Sequence, residues 1–334
     1  MRLLVTGAAG FIGSNFTRYW LQKNPADFIV ALDLLTYAGN QANLNGLGEN
    51  CRFVKADIGA TDLVRELLQE HQIEVIVNFA AESHNSLAVV NPGLFFRTNV
   101  LGTQSLLDAA RQVGISRFHH ISTCEVYGDL ALDSEERFSE ESPYRPRTPY
   151  NASKAGADHA VRAYYETFAL PVTISNCCNN YGPYQFPEKL IPLFTTLAMD
   201  EQSLPLYESS ANRREWIHVL DHCQAIEAII ANGREGETYN VGTGTEASIV
   251  EIADAILAAL GKGEELKTTV PDRPGHDRRY LLDSTKIARE LGWTPRFEFE
   301  DGLKETVEWY EQNRQWWQPL KDRAPVSEQD WQKS

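Results

Sequence analysis

The chain has 334 residues, of which 43% are hydrophobic and 23% are charged, as in folded proteins with one large α/β unit or two linked domains. It carries 31 Lys plus Arg against 46 Asp plus Glu, a formal charge of −15, which argues against a nucleic-acid binder. No apolar run reaches the roughly 18 residues of a membrane span, no signal peptide is evident, and the five cysteines form no CxxC pair. The composition therefore predicts a reduced, cytoplasmic enzyme without a membrane partner or a metal site.

Short apolar runs alternate with amphipathic stretches in the first half of the chain. Strands are predicted at residues 2–6, 29–32, 52–54, 75–79 and 117–122, and helices at residues 14–22, 62–70 and 99–113. This alternation indicates βαβ units, whose right-handed crossovers place helices on both faces of a parallel sheet. The predicted fold is α/β, with a Rossmann-type doubly wound parallel sheet that forms an NAD-binding domain over residues 1–175.

The pattern changes after about residue 175. Residues 176–192 are rich in Asn, Gly, Pro and Tyr and are predicted to form an ordered loop. The elements predicted beyond it are helices at residues 193–200, 219–231, 249–260 and 301–313 and strands at residues 205–207 and 237–240. We expect residues 176–320 to form mainly a smaller C-terminal lobe that binds the substrate. The chain should return at least once to the main sheet, and residues 321–334 should form a loose tail.

Three glycines, Gly7, Gly10 and Gly13, are spaced GxxGxxG between the first strand and the first helix. Glycine allows the backbone to approach a pyrophosphate that sits on the N–H groups of a helix N-terminus. Asp33 ends the second strand 20 residues after Gly13, where a carboxylate accepts hydrogen bonds from ribose hydroxyls and would repel a 2′-phosphate. The predicted cofactor is therefore NAD rather than NADP. Further cofactor contacts are predicted at Phe11, Ile12, Asp57, Ile58, Ala80, Ala81 and Asn99.

Tyr150 and Lys154 lie four residues apart at the start of a helix predicted over residues 150–168, so their side chains share one face. An ammonium beside a phenol lowers the phenol pKa, and the tyrosine can then deprotonate an alcohol during hydride transfer. A YxxxK pattern taken alone is also common on solvated helix faces. It gains weight from Ser122 and Thr123, whose hydroxyls at a strand end can orient the same alcohol.

Long motifs in both halves of the chain extend this pattern: LTYAGN (35–40), FAAESH (79–84), EVYGD (125–129), PYNASKAGADH (149–159), NNYGPYQFPEKLIPL (179–193), DRPGHDRRYLLD (272–283), ELGWTP (290–295) and TVEWY (306–310). With these motifs the chain resembles, from Gly7 to about Trp317, the extended short-chain dehydrogenases/reductases that act on nucleotide sugars. The likeness is greatest to the family of dTDP-glucose 4,6-dehydratases.

The resemblance implies a hydro-lyase of deoxysugar biosynthesis with tightly bound NAD. Such an enzyme oxidises C4 of a nucleoside-diphosphate hexose, eliminates water across C5 and C6, and returns the hydride to C6 to give a 4-keto-6-deoxy sugar. Tyr150 would remove the C4 hydroxyl proton, Lys154 would hold the tyrosine and a ribose, and Glu125 would take the C5 proton. The resemblance also suggests a homodimer joined through helices that include residues 99–113 and 150–168.

The substrate site implied by the resemblance spans both halves of the chain. Tyr207 would stack on the base, and Arg214 and Arg279 would grip the pyrophosphate, a role that suits the bidentate guanidinium. The full set is Ser83, His84, Asn179, Asn180, Glu188, Lys189, Leu190, Pro205, Tyr207, Arg214, Asn240, Arg279 and Tyr280. The sequence leaves open whether the base is thymine or uracil and whether C2 of the sugar carries a hydroxyl or an acetamido group.

The chain departs from the dehydratase pattern at Cys124, where the family carries the Asp that acts as acid on the C6 hydroxyl. A thiol with a reference pKa of about 8.5 stays protonated near pH 7 and could donate that proton, or Cys124 could be a small packed residue with water as the acid. Residues 85–88, Asn-Ser-Leu-Ala, replace the family's Val-Asp-Arg-Ser and change the polarity of the pocket near the sugar.

These departures leave several functions open. A related subset of the family that carries Cys before the catalytic Glu is associated with 5,6-unsaturated sugars, where the hydride returns to C4. The predicted function is 4,6-dehydration; the alternatives are 5,6-dehydration to an exo-glycal, 4-epimerisation, and a catalytically inactive NAD-binding sensor. The predicted catalytic residues are Thr123, Cys124, Glu125, Tyr150 and Lys154.

Overall fold

A seven-stranded, all-parallel sheet forms the centre of the computed structural model, which describes residues 1–272, 275 and 277–323. The strands of this sheet are β1 (Arg2–Thr6), β2 (Phe28–Asp33), β3 (Cys51–Lys55), β4 (Val75–Asn78), β5 (Arg117–Thr123), β6 (Val172–Cys177) and β10 (Thr238–Val241), in the spatial order β10-β6-β5-β4-β1-β2-β3. The predicted α/β fold is confirmed. The predicted return of the chain to the sheet is also confirmed, because β10 pairs with β6.

Helices cover both faces of the sheet because successive strand residues point to opposite sides. Leu4, Val30 and Ile76 pack on one face with helices α2 (Thr61–Glu70), α5 (Thr103–Val113) and α6 (Pro149–Phe168). Leu3 and Ile29 pack on the other face with α1 (Phe11–Lys23) and α8 (Val219–Asn232). Near-continuous apolar strands are typical of a parallel sheet that is buried on both sides.

The second half of the chain adds a smaller layer over the carboxyl edge of the sheet. Its elements are β7 (Asn179–Tyr181), α7 (Leu190–Met199), β8 (Leu204–Tyr207), β9 (Arg213–His218), β11 (Glu246–Ser248), α9 (Ile249–Ala259), β12 (Lys267–Val270), α10 (Thr285–Leu291), α11 (Phe299–Gln312) and α12 (Arg314–Trp317). Strands β11, β9 and β7 form one small sheet, and β12 pairs with β8 in another. The division of the chain at residue 175 stays a prediction.

Some predicted elements differ from those observed. The loop predicted over residues 176–192 contains the end of β6 and all of β7, and the helix predicted over residues 99–113 begins with a π-helical turn at Phe96–Gly102 before α5. The short helices α3 (Asn85–Val90) and α4 (Pro92–Phe95) were not predicted. Of the predicted loose tail, residues 321–323 lie in a 3₁₀ turn, Gln318–Arg323, and residues 324–334 lie outside the described part of the chain.

The helices and the acidic, histidine and cysteine side chains of the described residues bear on function. None of their helices is both long and apolar enough to cross a bilayer. Within the same residues, no group of His, Cys, Asp and Glu side chains is arranged to hold a metal ion.

Candidate active site

The carboxyl ends of β1, β4 and β5 meet at the point where the strand order reverses, since β2 and β3 extend to one side of β1 and β4, β5 and β6 to the other. A crevice opens there in doubly wound sheets, and ligands bind in it. The glycine turn after β1 and the Cys124–Tyr127 turn after β5 both lie at this edge.

The turn after β1 requires glycine at two positions. Gly7 has a φ of +62°, and a Cβ there would lie 2.8 Å from the backbone nitrogen of Ala80. A Cβ on Gly13 would lie 2.3 Å from the Gly7 carbonyl oxygen. Gly10 is the N-cap of α1 and supplies no side-chain cap, so the first N–H groups of this helix face the crevice without one. This backbone fits the pyrophosphate of a dinucleotide.

The carboxylate of Asp33 is fixed at the end of β2. Its Oδ2 accepts a hydrogen bond from the Ala9 N–H at 2.9 Å and its Oδ1 accepts one from the Leu35 N–H at 2.7 Å. Burial raises the pKa of this carboxyl, while the bonds from the backbone N–H groups lower it. Each oxygen keeps a further lone pair for a ribose hydroxyl. The residues at the glycine turn and at Asp33 therefore fit NAD.

Not every predicted cofactor contact lies on the crevice surface. Ile58 is buried in the core under Gly102, where an added Cβ would lie 2.7 Å from the Ile58 Cδ1. Asp57 is exposed and accepts a hydrogen bond from the Gly59 N–H at 2.8 Å. Asn99 is buried; its Nδ2 donates to the Ser153 hydroxyl at 2.8 Å and to the backbone oxygen of Glu82. Asn99 thus supports the turn after β4, and Ile58 fills core space. Phe11, Ile12 and Ala80 are half-buried at the crevice edge, and Ala81 is exposed.

The predicted catalytic side chains come together where β5 ends against α6. The Thr123 hydroxyl caps the Cys124–Tyr127 turn by accepting from the Glu125 N–H at 3.2 Å, and it also hydrogen-bonds Tyr150. Thr148 caps α6 and so sets the register of Tyr150 and Lys154. Burial raises the pKa of Tyr150 well above its usual range, the nearby Glu125 raises it further, and the Thr123 bond lowers it.

Cys124 is buried behind this turn. Its side chain packs with Cys177, Cys178 and Tyr280, and only 1% of it is exposed. Burial, assisted by the charge of Glu125, raises the pKa of the thiol well above its usual range, so Cys124 stays protonated. Glu125 by contrast lines a pocket, and Cys124 does not.

This pocket has a volume of about 400 Å³ and lies between the carboxyl edge of the sheet and the second-half layer. Most of the predicted substrate residues line it: His84, Asn179, Glu188, Lys189, Leu190, Pro205, Tyr207, Arg214 and Tyr280. The lining also contains residues that were not predicted: Asn85, Thr148, Leu193, Phe194, Trp216, Ile249, Val270 and Asp277. The sequence could have indicated Asn85, because it lies in the segment, residues 85–88, that departs from the family near the sugar. The apolar members carry no such signal.

Charged side chains line the pocket in two groups. In one group Glu188 accepts a hydrogen bond from the Tyr37 hydroxyl at 2.7 Å and pairs with His84 at 3.3 Å, while Lys189 Nζ donates to the backbone oxygen of Ser83 at 2.9 Å. In the other group the Arg214 guanidinium lies 4.7 Å above the Tyr280 ring.

Several of the residues predicted to bind substrate have partners within the protein. The Arg214 guanidinium donates to the backbone oxygens of Arg213 at 2.8 Å and Arg278 at 3.0 Å. The Arg279 guanidinium forms a two-pronged ion pair with Glu246, with Nε–Oε1 and Nη2–Oε2 distances of 2.7 Å. Asn240 is fully buried and donates to the Phe138 carbonyl at 2.9 Å, and Asn180 lies 2.8 Å from the His222 Nδ1. Buried polar groups need partners, and these residues find them within the protein. Their assignment to the substrate site stays a prediction. Ser83 contributes its backbone oxygen to Lys189 and is outside the lining.

Comparison with known proteins agrees with this geometry. A family model described as GDP-mannose 4,6 dehydratase matches residues 4–306. The dTDP-glucose 4,6-dehydratase of Streptomyces niveus is 50% identical over 96% of this chain and 96% of its own length. The chain belongs to the family of nucleotide-sugar 4,6-dehydratases. Membership confirms the predicted activity class, an NAD-dependent hydro-lyase that acts on a nucleoside-diphosphate hexose.

The fold of this dehydratase is also similar to those of solved structures. DesIV (dTDP-glucose 4,6-dehydratase) from Streptomyces venezuelae, crystallised with NAD and TYD bound, is 49% identical and superimposes with a TM-score of 0.92 over 96% of this chain and 100% of its own. A UDP-glucose 4-epimerase from Thermotoga maritima is 26% identical, with a TM-score of 0.88 over 94% of this chain and 100% of its own.

The two arginines give a matched test of the pocket. We expect Arg214→Gln to weaken the binding of thymidine diphosphate to the dehydratase by about 10-fold to 100-fold, since a charged hydrogen bond contributes about 1.5–3 kcal/mol. Arg279→Gln should leave that affinity within about 3-fold. It should instead lower the free energy of unfolding by about 3 kcal/mol, because Glu246 loses its ion-pair partner. Calorimetric titration and thermal unfolding measure both. A large loss of affinity in Arg279→Gln alone would contradict this assignment.

Proposed function

We propose that this dehydratase converts dTDP-glucose to dTDP-4-keto-6-deoxy-glucose and retains NAD between turnovers. The observation that carries the proposal is the position of Glu125, which lines the pocket next to Thr123 and the start of α6. An acid/base group at that place is what elimination needs and what simple C4 epimerisation does not. The relatives named dTDP-glucose 4,6-dehydratase support thymine as the base.

Recognition of the nucleotide is assigned to the second-half layer. Tyr207 and Pro205 on β8 offer a flat surface for the base, and Arg214 on β9 offers guanidinium N–H groups to the diphosphate. We therefore propose residues 1–175 as the NAD-binding domain and residues 176–320 as mainly the lobe that binds the nucleotide sugar, with β10 returning to the sheet.

The oxidation step uses the residues at the end of β5 and the start of α6. NAD, when bound, supplies the hydride acceptor for C4 and later gives that hydride back. Tyr150 takes the proton of the C4 hydroxyl, and the Thr123 hydroxyl orients the same oxygen. Lys154 supplies a buried positive charge one helical turn beyond Tyr150 on α6, and the Thr123 hydrogen bond lowers the pKa of the phenol.

The elimination step uses Glu125. The C4 ketone acidifies the C5 proton, which the Glu125 carboxylate accepts as the C6–oxygen bond breaks. The departing hydroxyl takes a proton from a water molecule in the pocket and leaves as water. The proton that Tyr150 took from the C4 hydroxyl is then released and neutralises the hydroxide that remains. Glu125 then returns a proton to C5 when C6 is reduced, so the residue ends the cycle as it began.

Cys124 is assigned a packing role rather than the acid role. Its thiol is 1% exposed and belongs to the same apolar cluster as Cys178 and Tyr280, whereas the adjacent Glu125 lines the pocket. A proton donor must come within hydrogen-bond reach of the leaving oxygen. Cys124 therefore replaces the family's Asp with a packed side chain, and water acts as the proton donor to the C6 hydroxyl.

Incubation with dTDP-glucose, UDP-glucose and UDP-N-acetylglucosamine tests the proposed reaction. We expect dTDP-glucose to lose the mass of one water and to give a C6 methyl signal by NMR. We expect the same protein with Cys124→Ala to eliminate water within about 3-fold of the unmodified rate, because general-acid assistance, typically 10²–10⁴-fold, is absent at this position.

Three outcomes would contradict these assignments. A product with the mass loss but without a methyl signal is the 5,6-ene, and a product of unchanged mass is an epimer. If Cys124→Ala eliminates water about 100-fold more slowly, and the near-ultraviolet absorbance of reduced cofactor accumulates, Cys124 is the acid after all. Cys124→Asp is the reference variant, since it reintroduces the family's acid.

We also propose a homodimer joined through α5 and α6. The turn that leads into α5 carries exposed apolar side chains, with Phe96 43% and Leu101 58% exposed, and such side chains near a helix pair favour burial by a second copy. All five cysteines are free thiols, which supports the proposed cytoplasmic location.

Light scattering measures the oligomeric state directly. We expect the mass of a dimer for the unmodified chain and a larger monomer fraction for Leu101→Glu, because a buried charge at the interface is costly. Leu132→Glu, at an exposed leucine away from these helices, is the control and should stay dimeric. A monomeric unmodified chain would overturn the dimer.

A further inference from the structure

Lys154 lies inside the protein and its charge needs an explanation. Only 4% of the residue is exposed, and its Nζ donates to the Ile121 carbonyl oxygen at 2.6 Å. A carbonyl dipole satisfies one N–H group but supplies no counter-charge. Removing an ammonium from water costs several kcal/mol unless an anion compensates it, so a buried lysine otherwise gives up its proton.

The nearest anion is reached through a histidine. His120, buried on β5, places its Nε2 3.4 Å from the Lys154 Nζ and 3.5 Å from the Asp158 Oδ1. Asp158 is one helical turn beyond Lys154 on α6 and is fully buried. The imidazole therefore lies between the ammonium and the carboxylate.

Hydrogen bonds around His120 fix its proton. The Thr6 hydroxyl donates to the Asn78 Oδ1 at 2.7 Å, which orients the amide so that Asn78 Nδ2 is directed at the His120 Nδ1, 3.1 Å away. Nδ1 is therefore the acceptor and Nε2 carries the proton. Because Lys154 can only donate, the Nε2 proton is directed toward Asp158. Burial and the adjacent Lys154 charge lower the pKa of His120 well below its usual range, so the ring stays neutral.

Burial raises the pKa of Asp158, and the Lys154 charge together with hydrogen bonds from two hydroxyls lowers it. Its Oδ2 accepts hydrogen bonds from the Ser122 hydroxyl at 2.8 Å and the Tyr144 hydroxyl at 2.9 Å. Among the residues that the structure describes, none donates a conventional hydrogen bond to Oδ1, the oxygen that faces His120. Ser122 is the residue before Thr123, so the same strand end carries the substrate hydroxyl contact and the support for this carboxylate.

We propose that Asp158, whose negative charge acts on Lys154 across the His120 ring that orients it, is a positioning residue of the redox step that keeps Lys154 charged. The proposal rests on the proposed function of Tyr150 and Lys154 and deepens it. Asp158 and His120 do not contact substrate. They lie on its own helix and on β5, and the titratable Cys177 on β6 also faces it.

The pH dependence of C4 oxidation tests the proposal in the holoenzyme. Burial lowers the pKa of Lys154 and Asp158 raises it, so removing the carboxylate lowers it further. The oxidation rate is followed as reduced-cofactor absorbance after mixing with dTDP-glucose. In Asp158→Asn, the fall of this rate at alkaline pH should move to lower pH by at least one unit. Each unit lowers the activity at pH 9 relative to pH 7 by about 10-fold.

Thermal unfolding provides a readout that is independent of activity. A lysine whose pKa in the folded protein is below its unfolded value adds stability at high pH that is lost as the pH falls. The loss of melting temperature caused by Asp158→Asn should therefore be larger at pH 7 than at pH 10. Asp221→Asn is the matched control: Asp221 is fully buried and accepts hydrogen bonds from two backbone N–H groups at 3.0 Å, so its effect should not change between these pH values.

The outcomes separate this proposal from the proposed function. If Asp158→Asn shows the unmodified pH profile and a pH-independent loss of melting temperature, Asp158 is only structural and the inference is wrong. If Asp158→Asn does not fold, His120→Gln replaces it and should shift the alkaline limb in the same direction by a smaller amount; no shift again overturns the inference. If Lys154→Met oxidises dTDP-glucose normally, the proposed role of Lys154 fails first, whatever Asp158 does.

Discussion

The contact between the end of β5 and the first turns of α6 is the interaction on which the site depends. Lys154 binds the Ile121 carbonyl oxygen, Asp158 accepts from the Ser122 hydroxyl, and Thr123 hydrogen-bonds Tyr150. Each bond joins one residue of the strand to one residue of the helix. The strand ends in the turn that presents the acid/base group to the pocket, so oxidation and elimination share a single rigid support.

Burial decides which of these groups can react. Tyr150, Lys154 and Cys124 are all removed from solvent, and burial shifts the pKa of each toward its neutral form. The Cys124 thiol lies in an apolar cluster, and we assign it no proton transfer. The lysine is different, because a carboxylate and an oriented imidazole lie next to it. The protonation state of Lys154 therefore depends on buried groups, Asp158 and His120, that do not line the pocket.

Much of the fold follows from local sequence pattern. The strands of the parallel sheet are apolar runs bounded by glycine or polar residues, and Gly7 and Gly13 mark a turn that admits no side chain. The four-residue spacing of Tyr150 and Lys154 needs only a helix to bring them together. Such signals are local, and the comparisons with known proteins confirm the fold that they predict.

The rest depends on contacts between residues that are far apart in the chain. Nothing near Arg279 in the sequence shows that Glu246 will pair with it, and nothing near Asn240 shows that Phe138 will accept its hydrogen bond. The short strand β7 has too few residues to show the alternation of apolar and polar residues that predicts a strand. The apolar pocket lining, such as Trp216, is formed only when the second-half layer packs over the sheet.

The central claim is that one site oxidises C4 and then eliminates water with Glu125 as the base at C5. Rapid mixing of Glu125→Gln with dTDP-glucose, followed by near-ultraviolet absorbance and by mass spectrometry of quenched samples, separates the two steps. We expect reduced cofactor to appear and persist with a 4-keto sugar that has lost no water. Elimination of water by Glu125→Gln at the unmodified rate would contradict the account.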